Sequence, residues 1–103
     1  MAIAIFVVKA TVTADQEDAF NRWYNTEHAP QLLRYNGAVS ARRYKRIMGE
    51  EKWQYVAVYE FADEATFEAF MKSDALKDLR AEYDKNFGDV SEREGFGYVQ
   101  VWP

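Results

Sequence analysis

A single histidine, His28, stands in the segment Trp23-Tyr24-Asn25-Thr26-Glu27-His28-Ala29-Pro30. Histidine titrates in the range where proton transfer is useful, so His28 is a candidate general acid or base. Its other reading is a side chain that caps helix carbonyls or lies on the surface. Carbonyls freed beside Pro30 would favour imidazolium, whereas burial would favour neutral imidazole. Glu27 is adjacent and could orient or oppose His28, or be a solvated helix charge. Tyr44, Tyr55 and Tyr59 each carry a phenol O–H able to donate to a ligand carbonyl; the alternative is ordinary strand aromatics. Trp23 and Tyr24 read as core or pocket wall. Arg43 belongs to a short basic cluster with Arg42, Lys45 and Arg46. Its guanidinium fork suits a carboxylate or other anion, and a solvated strand face is the competing reading.

Other chemistries are excluded or disfavoured. The chain has no cysteine, so thiolate nucleophiles, disulfides and cysteine metal sites are ruled out. One histidine leaves carboxylates as the main metal ligands, without EF-hand spacing. There is no GxSxG, P-loop or GxGxxG. A metal or nucleotide cofactor is therefore not expected.

The elements that must position these residues fit one domain spanning 1–103, since the chain has 103 residues. Hydrophobic residues make up 49%, which argues against disorder, and aromatics make up 17%, enough to line a cavity or an interface as well as a core. A net charge of −4 leaves no basic footprint for nucleic acid. No apolar run approaches the ~18 residues of a membrane helix. The N-terminal MAIAIFVVKA has neither a charged leader nor a cleavage site, so a cytoplasmic location is expected.

Residues 2–9 form a continuous apolar run, the pattern of a central strand buried on both faces. Thr13 and Gln16 have capping-box spacing, with Asp15, Glu17 and Asp18 in the first turn that follows. Phe20, Trp23, Tyr24 and Glu27/His28 then share a helical face. Pro30 predicts an end or kink near His28, with another turn over 31–35 before Asn36-Gly37. Residues 38–48 read as a second strand, with Val39, Ala41, Arg43, Lys45 and Ile47 on one face. Residues 52–61 read as a third, with Trp53, Tyr55, Ala57, Tyr59 and Phe61 on one face. Asp63 caps a helix that Ser73 restarts and Gly88 ends. Residues 95–102 are the last strand, with Gly95 and Gly97 read as a close approach at a dimer seam.

The order β-α-β-β-α-β is ferredoxin-like: an α+β domain with both helices on one face of a four-stranded antiparallel sheet. The opposite face carries aromatics and valines. Pairing two such sheets would hide them, so a homodimer is expected.

The run Phe20 to Leu33, with Glu27-His28-Ala29-Pro30 at its centre, and the following Asn36-Gly37-Ala38-Val39-Ser40-Ala41-Arg42-Arg43-Tyr44 resemble the dimeric α-β barrel superfamily, in particular its EthD-like and RedY-like branches. Asn36-Gly37 stands where Pro-Gly is common there, and still suits a turn. The resemblance implies a dimeric barrel with a pocket between sheet and helices in each subunit. It implies cofactor-independent enzymes on small aromatic, polyketide-like or lactone intermediates, doing cyclisation, isomerisation, dehydration or decarboxylation; cofactor-free monooxygenases and non-catalytic binders of small hydrophobic ligands are the alternatives. Carried onto this chain, His28 would move the proton while Tyr24, Tyr44 or Tyr59 stabilises an enolate. Arg43 would hold a carboxylate, and Trp23, Trp53 and Phe61 would wall the pocket.

Overall fold

The computed structural model describes residues 2–103. Strand β1 (Ala4–Val12) is followed by a 3₁₀ turn (Ala14–Gln16), helix α1 (Glu17–Trp23), a π-helical turn (Tyr24–His28) and helix α2 (Ala29–Leu33). Strands β2 (Ala38–Lys45) and β3 (Tyr55–Phe61) form a hairpin. Helices α3 (Glu64–Met71) and α4 (Asp74–Phe87) lead to β4 (Ser91–Val99). All pairings are antiparallel, in the order β2-β3-β1-β4. The architecture is the ferredoxin-like α+β fold expected from the sequence.

Alternation along the strands builds the core. In β1, Phe6, Val8 and Ala10 face the helices, and in β3 Tyr55, Ala57, Tyr59 and Phe61 do so. Phe20, Tyr24 and Leu32 meet them from the first helical segment, and Phe70, Leu76, Tyr83 and Phe87 from the second. Each fully buried side chain of this size contributes roughly 1.5–3 kcal/mol. On the other face of the sheet Val7 is 7% exposed, flanked by Val58 and Phe96 on the neighbouring strands.

Several expectations need correction. Thr13 makes no side-chain cap bond; its carbonyl instead accepts from the Gln16 N–H in a 3₁₀ turn, so no capping box forms. Of the end or kink expected near His28, the end does not occur: the helix is interrupted there by a π turn and resumes, with Pro30 in the first turn of α2, where its missing N–H is tolerated. A β-bulge at Val39 leaves that residue unpaired and more than half exposed, so Ala38 rather than Val39 joins Ala41 against the core. The hairpin strands are shorter than predicted, and Trp53, Ile47 and Met48 lie outside them. Strand β4 starts at Ser91 and ends at Val99, which leaves Trp102 beyond it and exposed.

The two glycines of β4 serve the core, not a seam between subunits. A Cβ on Gly97 would lie 2.4 Å from Phe67, and one on Gly95 would lie 3.0 Å from Phe6. Both rings pack across the bare backbone. Gly37 follows Asn36 at φ +104°, a left-handed conformation that admits glycine, as the turn signal required. Among the described residues no helix is long and apolar enough to cross a membrane.

Candidate functional site

The π turn explains how His28 meets its neighbours. The Ala29 N–H donates to the Tyr24 carbonyl five residues back. In a regular α-helix, residues five apart sit about 140° around the axis and do not face each other. Here His28 stacks on Trp23, five residues earlier, with ring centroids 4.6 Å apart and 20° between planes. The wider turn brings these two side chains into register. The edge of Tyr24 lies against the same imidazole at 4.9 Å.

Between this helical segment, α4 and the sheet lies a cavity of about 520 Å³, within the range of small-molecule sites. Tyr24, His28, Tyr59, Tyr83, Ser91 and Arg93 are part of its polar lining. Phe6, Val8, Leu76 and Leu79 make its apolar part. His28 is 8% exposed, and its buried Nδ1 has no hydrogen-bond partner. The Tyr59 hydroxyl is equally buried and unpartnered; it neighbours that of Tyr24 without hydrogen-bonding geometry. A buried polar group left unpaired costs about 1–3 kcal/mol, so both atoms are short of a partner in a wall of the cavity.

The electrostatics give the groups distinct states. Burial, with the positive charges of Arg93 and Arg43 nearby, lowers the His28 pKa to about 4. The imidazole is therefore neutral at neutral pH. Burial raises Tyr24 to about 12 and Tyr59 well above its ordinary value, so both stay protonated. The cavity thus holds one neutral base beside two phenol donors. Among the described residues no group of three or more His, Cys, Asp or Glu side chains could hold a metal ion.

The residues singled out from the sequence fall into separate places. Tyr24, His28 and Tyr59 share the cavity. Trp23 lies behind it and holds the imidazole plane. Glu27 is exposed on the helix and does not line the cavity. Arg43 lies on the far side of Tyr24, its guanidinium 4.3 Å from that ring, and its Nη1 donates to Asn25 Oδ1 at 2.9 Å. With Tyr44, Lys45 and Tyr55 it lines an open groove beside α1. In that groove the Tyr55 hydroxyl donates to Glu17 and accepts from Asn21. Phe61 is core, packed on Phe70 at 5.1 Å. Trp53 sits before β3 with Lys52 over its ring, away from the cavity.

Sequence reasoning missed Ser91 and Arg93 and took Tyr83 only as part of an apolar helix stripe. The Tyr83 and Ser91 hydroxyls are 2.8 Å apart. The Arg93 guanidinium lies 3.9 Å over the Tyr83 ring, and its Nη1 donates to Asp84 at 2.7 Å. The available signal was a polar side chain at an inward position of a strand.

Solved structures share this fold at low identity. An EthD-family protein from Bacillus halodurans C-125 is 18% identical, with 93% of this chain and 97% of that one covered and a TM-score of 0.66. A DABB-family protein with a ferredoxin-like fold from Mesorhizobium loti MAFF303099 is 12% identical, with 99% and 100% covered and a TM-score of 0.71. SnoaB from Streptomyces nogalater, a cofactor-independent oxygenase, is 20% identical, with 98% and 95% covered and a TM-score of 0.58. These likenesses agree with the ferredoxin-like α+β fold described above. No curated protein matches the sequence. A family match runs over residues 3–92, from the first strand through both helical layers into the last strand, and the chain belongs to that family, described as a domain of unknown function, DUF4286.

Proposed function

We propose that the cavity is a cofactor-independent proton-transfer site for a small aromatic, polyketide-like or lactone compound. The observation that carries this reading is the pair of buried, unpartnered atoms, His28 Nδ1 and Tyr59 Oη, on one cavity. His28 takes a proton from carbon next to a ligand carbonyl, and the electron pair moves onto the carbonyl oxygen. Tyr59, with Tyr24 beside it, donates to that oxygen and stabilises the enolate. The imidazolium returns the proton to another carbon in an isomerisation, to the alkoxide formed when the enolate attacks a second carbonyl in a cyclisation, or to a β-hydroxyl that leaves as water in a dehydration. Loss of carbon dioxide from a β-keto carboxylate gives the same enolate without a base, and the proton it needs then comes from solvent. The protein acts as a homodimer through its open sheet face, where Ile5, Val7, Val56, Val58, Phe96 and Tyr98 form an apolar surface.

The test is hydrogen–deuterium exchange at the acidic carbon of small probes, phenylacetone and α-angelica lactone, followed by proton NMR. Wild type accelerates exchange, and His28→Ala loses about 10²–10⁴-fold of that acceleration. Exchange equal in wild type and His28→Ala removes the mechanism; saturable binding without exchange makes the protein a binder. A second reading follows from the likeness to SnoaB: the carbanion formed at His28 would react with oxygen. It predicts oxygen uptake with an electron-rich phenol, lost in His28→Ala.

A further inference from the structure

Two guanidiniums bear on His28, and only one of them lines its cavity. Arg43 is turned away, bonded to Asn25 in the outer groove. Arg93 faces inward from β4, beside Ser91 and Gly95. Its guanidinium carbon lies 3.9 Å over the Tyr83 ring, and the Tyr83 ring centre is 5.9 Å from that of His28. Tyr83 thus neighbours both the base and the cation on the cavity wall.

Arg93 has capacity to spare. A guanidinium carries five N–H donors, and its ion pair is one Nη1 contact to Asp84, whose side chain is 63% exposed. Solvent screens such a pair, so it holds Arg93 only weakly. The carboxylates that line the cavity are Asp84, paired with Arg93, and Glu94, and neither is among the charges that act on His28. Glu27 is outside, and the charges that act on His28 are both positive. Contact with the Tyr83 ring and the bond to Asp84 restrain the guanidinium, and its remaining N–H groups suit a bidentate carboxylate contact.

We propose that Arg93 anchors a carboxylate of the ligand, so that the cavity takes a flat, ring-bearing acid with its reactive carbon at His28. This rests on the cavity being the ligand site described above. The acid's charge would also offset the field that disfavours imidazolium, making His28 a better base with ligand bound than without.

Benzoate and benzamide are the probe pair, alike in shape and different in charge. Their binding is read by calorimetry and by the ring signals of the one histidine, in wild type, Arg93→Gln, Arg93→Lys and Arg43→Gln. Benzoate is expected to bind at least about tenfold tighter than benzamide and to move the His28 signals. Arg93→Gln abolishes that preference, Arg93→Lys keeps part of it, and Arg43→Gln leaves it in place. Equal binding of the two probes, no binding of either, or a preference that survives Arg93→Gln overturns the proposal. The exchange assay separates the two readings. If exchange is indifferent to His28 while acid preference depends on Arg93, the mechanism fails and the anchor stands. If exchange needs His28 but Arg93 makes no difference to acid preference, the anchor fails alone.

Discussion

Acidification should destabilise this protein through one side chain. His28 takes up its proton near pH 6.5 in the unfolded chain but only near pH 4 when folded. Between those values the unfolded state binds more protons, so stability falls as the pH falls and the loss is complete below the folded pKa. At about 1.4 kcal/mol per unit, a separation of this size corresponds to roughly 3 kcal/mol, a large part of the ~5–15 kcal/mol that a small domain has. Carboxylates titrate in the same region: Glu17, bonded to Tyr55 and Lys45, and Asp63, bonded to Thr66, are both held below their ordinary values. Their contribution is present at neutral pH and is also lost on acidification.

A comparison with His28→Gln isolates the histidine, because the carboxylates are common to both proteins. Urea midpoints are measured at pH values from about 7 down to 4. The stability difference between wild type and variant should move by about 3 kcal/mol against wild type across that range. The ring signals of His28 should titrate with a midpoint near 4. Parallel pH profiles for the two proteins, or a ring that titrates at its ordinary value, would refute the placement of a neutral imidazole between Trp23 and Tyr24.

Two further outcomes follow from the fold. Ser73 Oγ accepts from the Leu76 N–H at 3.1 Å, so Ser73→Ala should lose about 1 kcal/mol in urea unfolding. Thr13→Ala should be near neutral, since Thr13 makes no such bond; a loss as large as that of Ser73→Ala would contradict the 3₁₀ entry into α1. Sedimentation velocity should find a dimer, and Val58→Lys, in the middle of the open sheet face, should convert it to monomer. A monomeric wild type, or a dimer that tolerates Val58→Lys, would place the interface elsewhere.

The sequence showed what is local and periodic. The apolar run of β1, the alternation of β3 and the caps at Asp63 and Ser73 are all properties of short segments, and each found its place in the fold. Tyr24 and His28 were legible as neighbours because they are one helical turn apart. The π turn was not, because Pro30 is compatible with a stop, a kink or a widened turn, and packing of Trp23 on His28 goes with the third. The bulge at Val39 was invisible for a similar reason: one inserted residue leaves no trace in an alternating pattern, yet it turns Val39 outward and Ala38 inward.

The misplaced start of β4 has a different cause. Its inward positions are Ser91, Arg93, Gly95 and Gly97, paired through β1 with Val12, Ala10, Val8 and Phe6. An inward face that is polar and then bare does not read as a strand, so the prediction began only at Gly95. Two of those positions are bare because rings cross them. The other two are polar because they border a cavity rather than a packed core. Local rules fail where a fold gives up packing for a site. Ser91 and Arg93 are the break in β4's pattern, and they line the same cavity as His28. The failure of the strand reading and the location of the cavity thus have one physical origin.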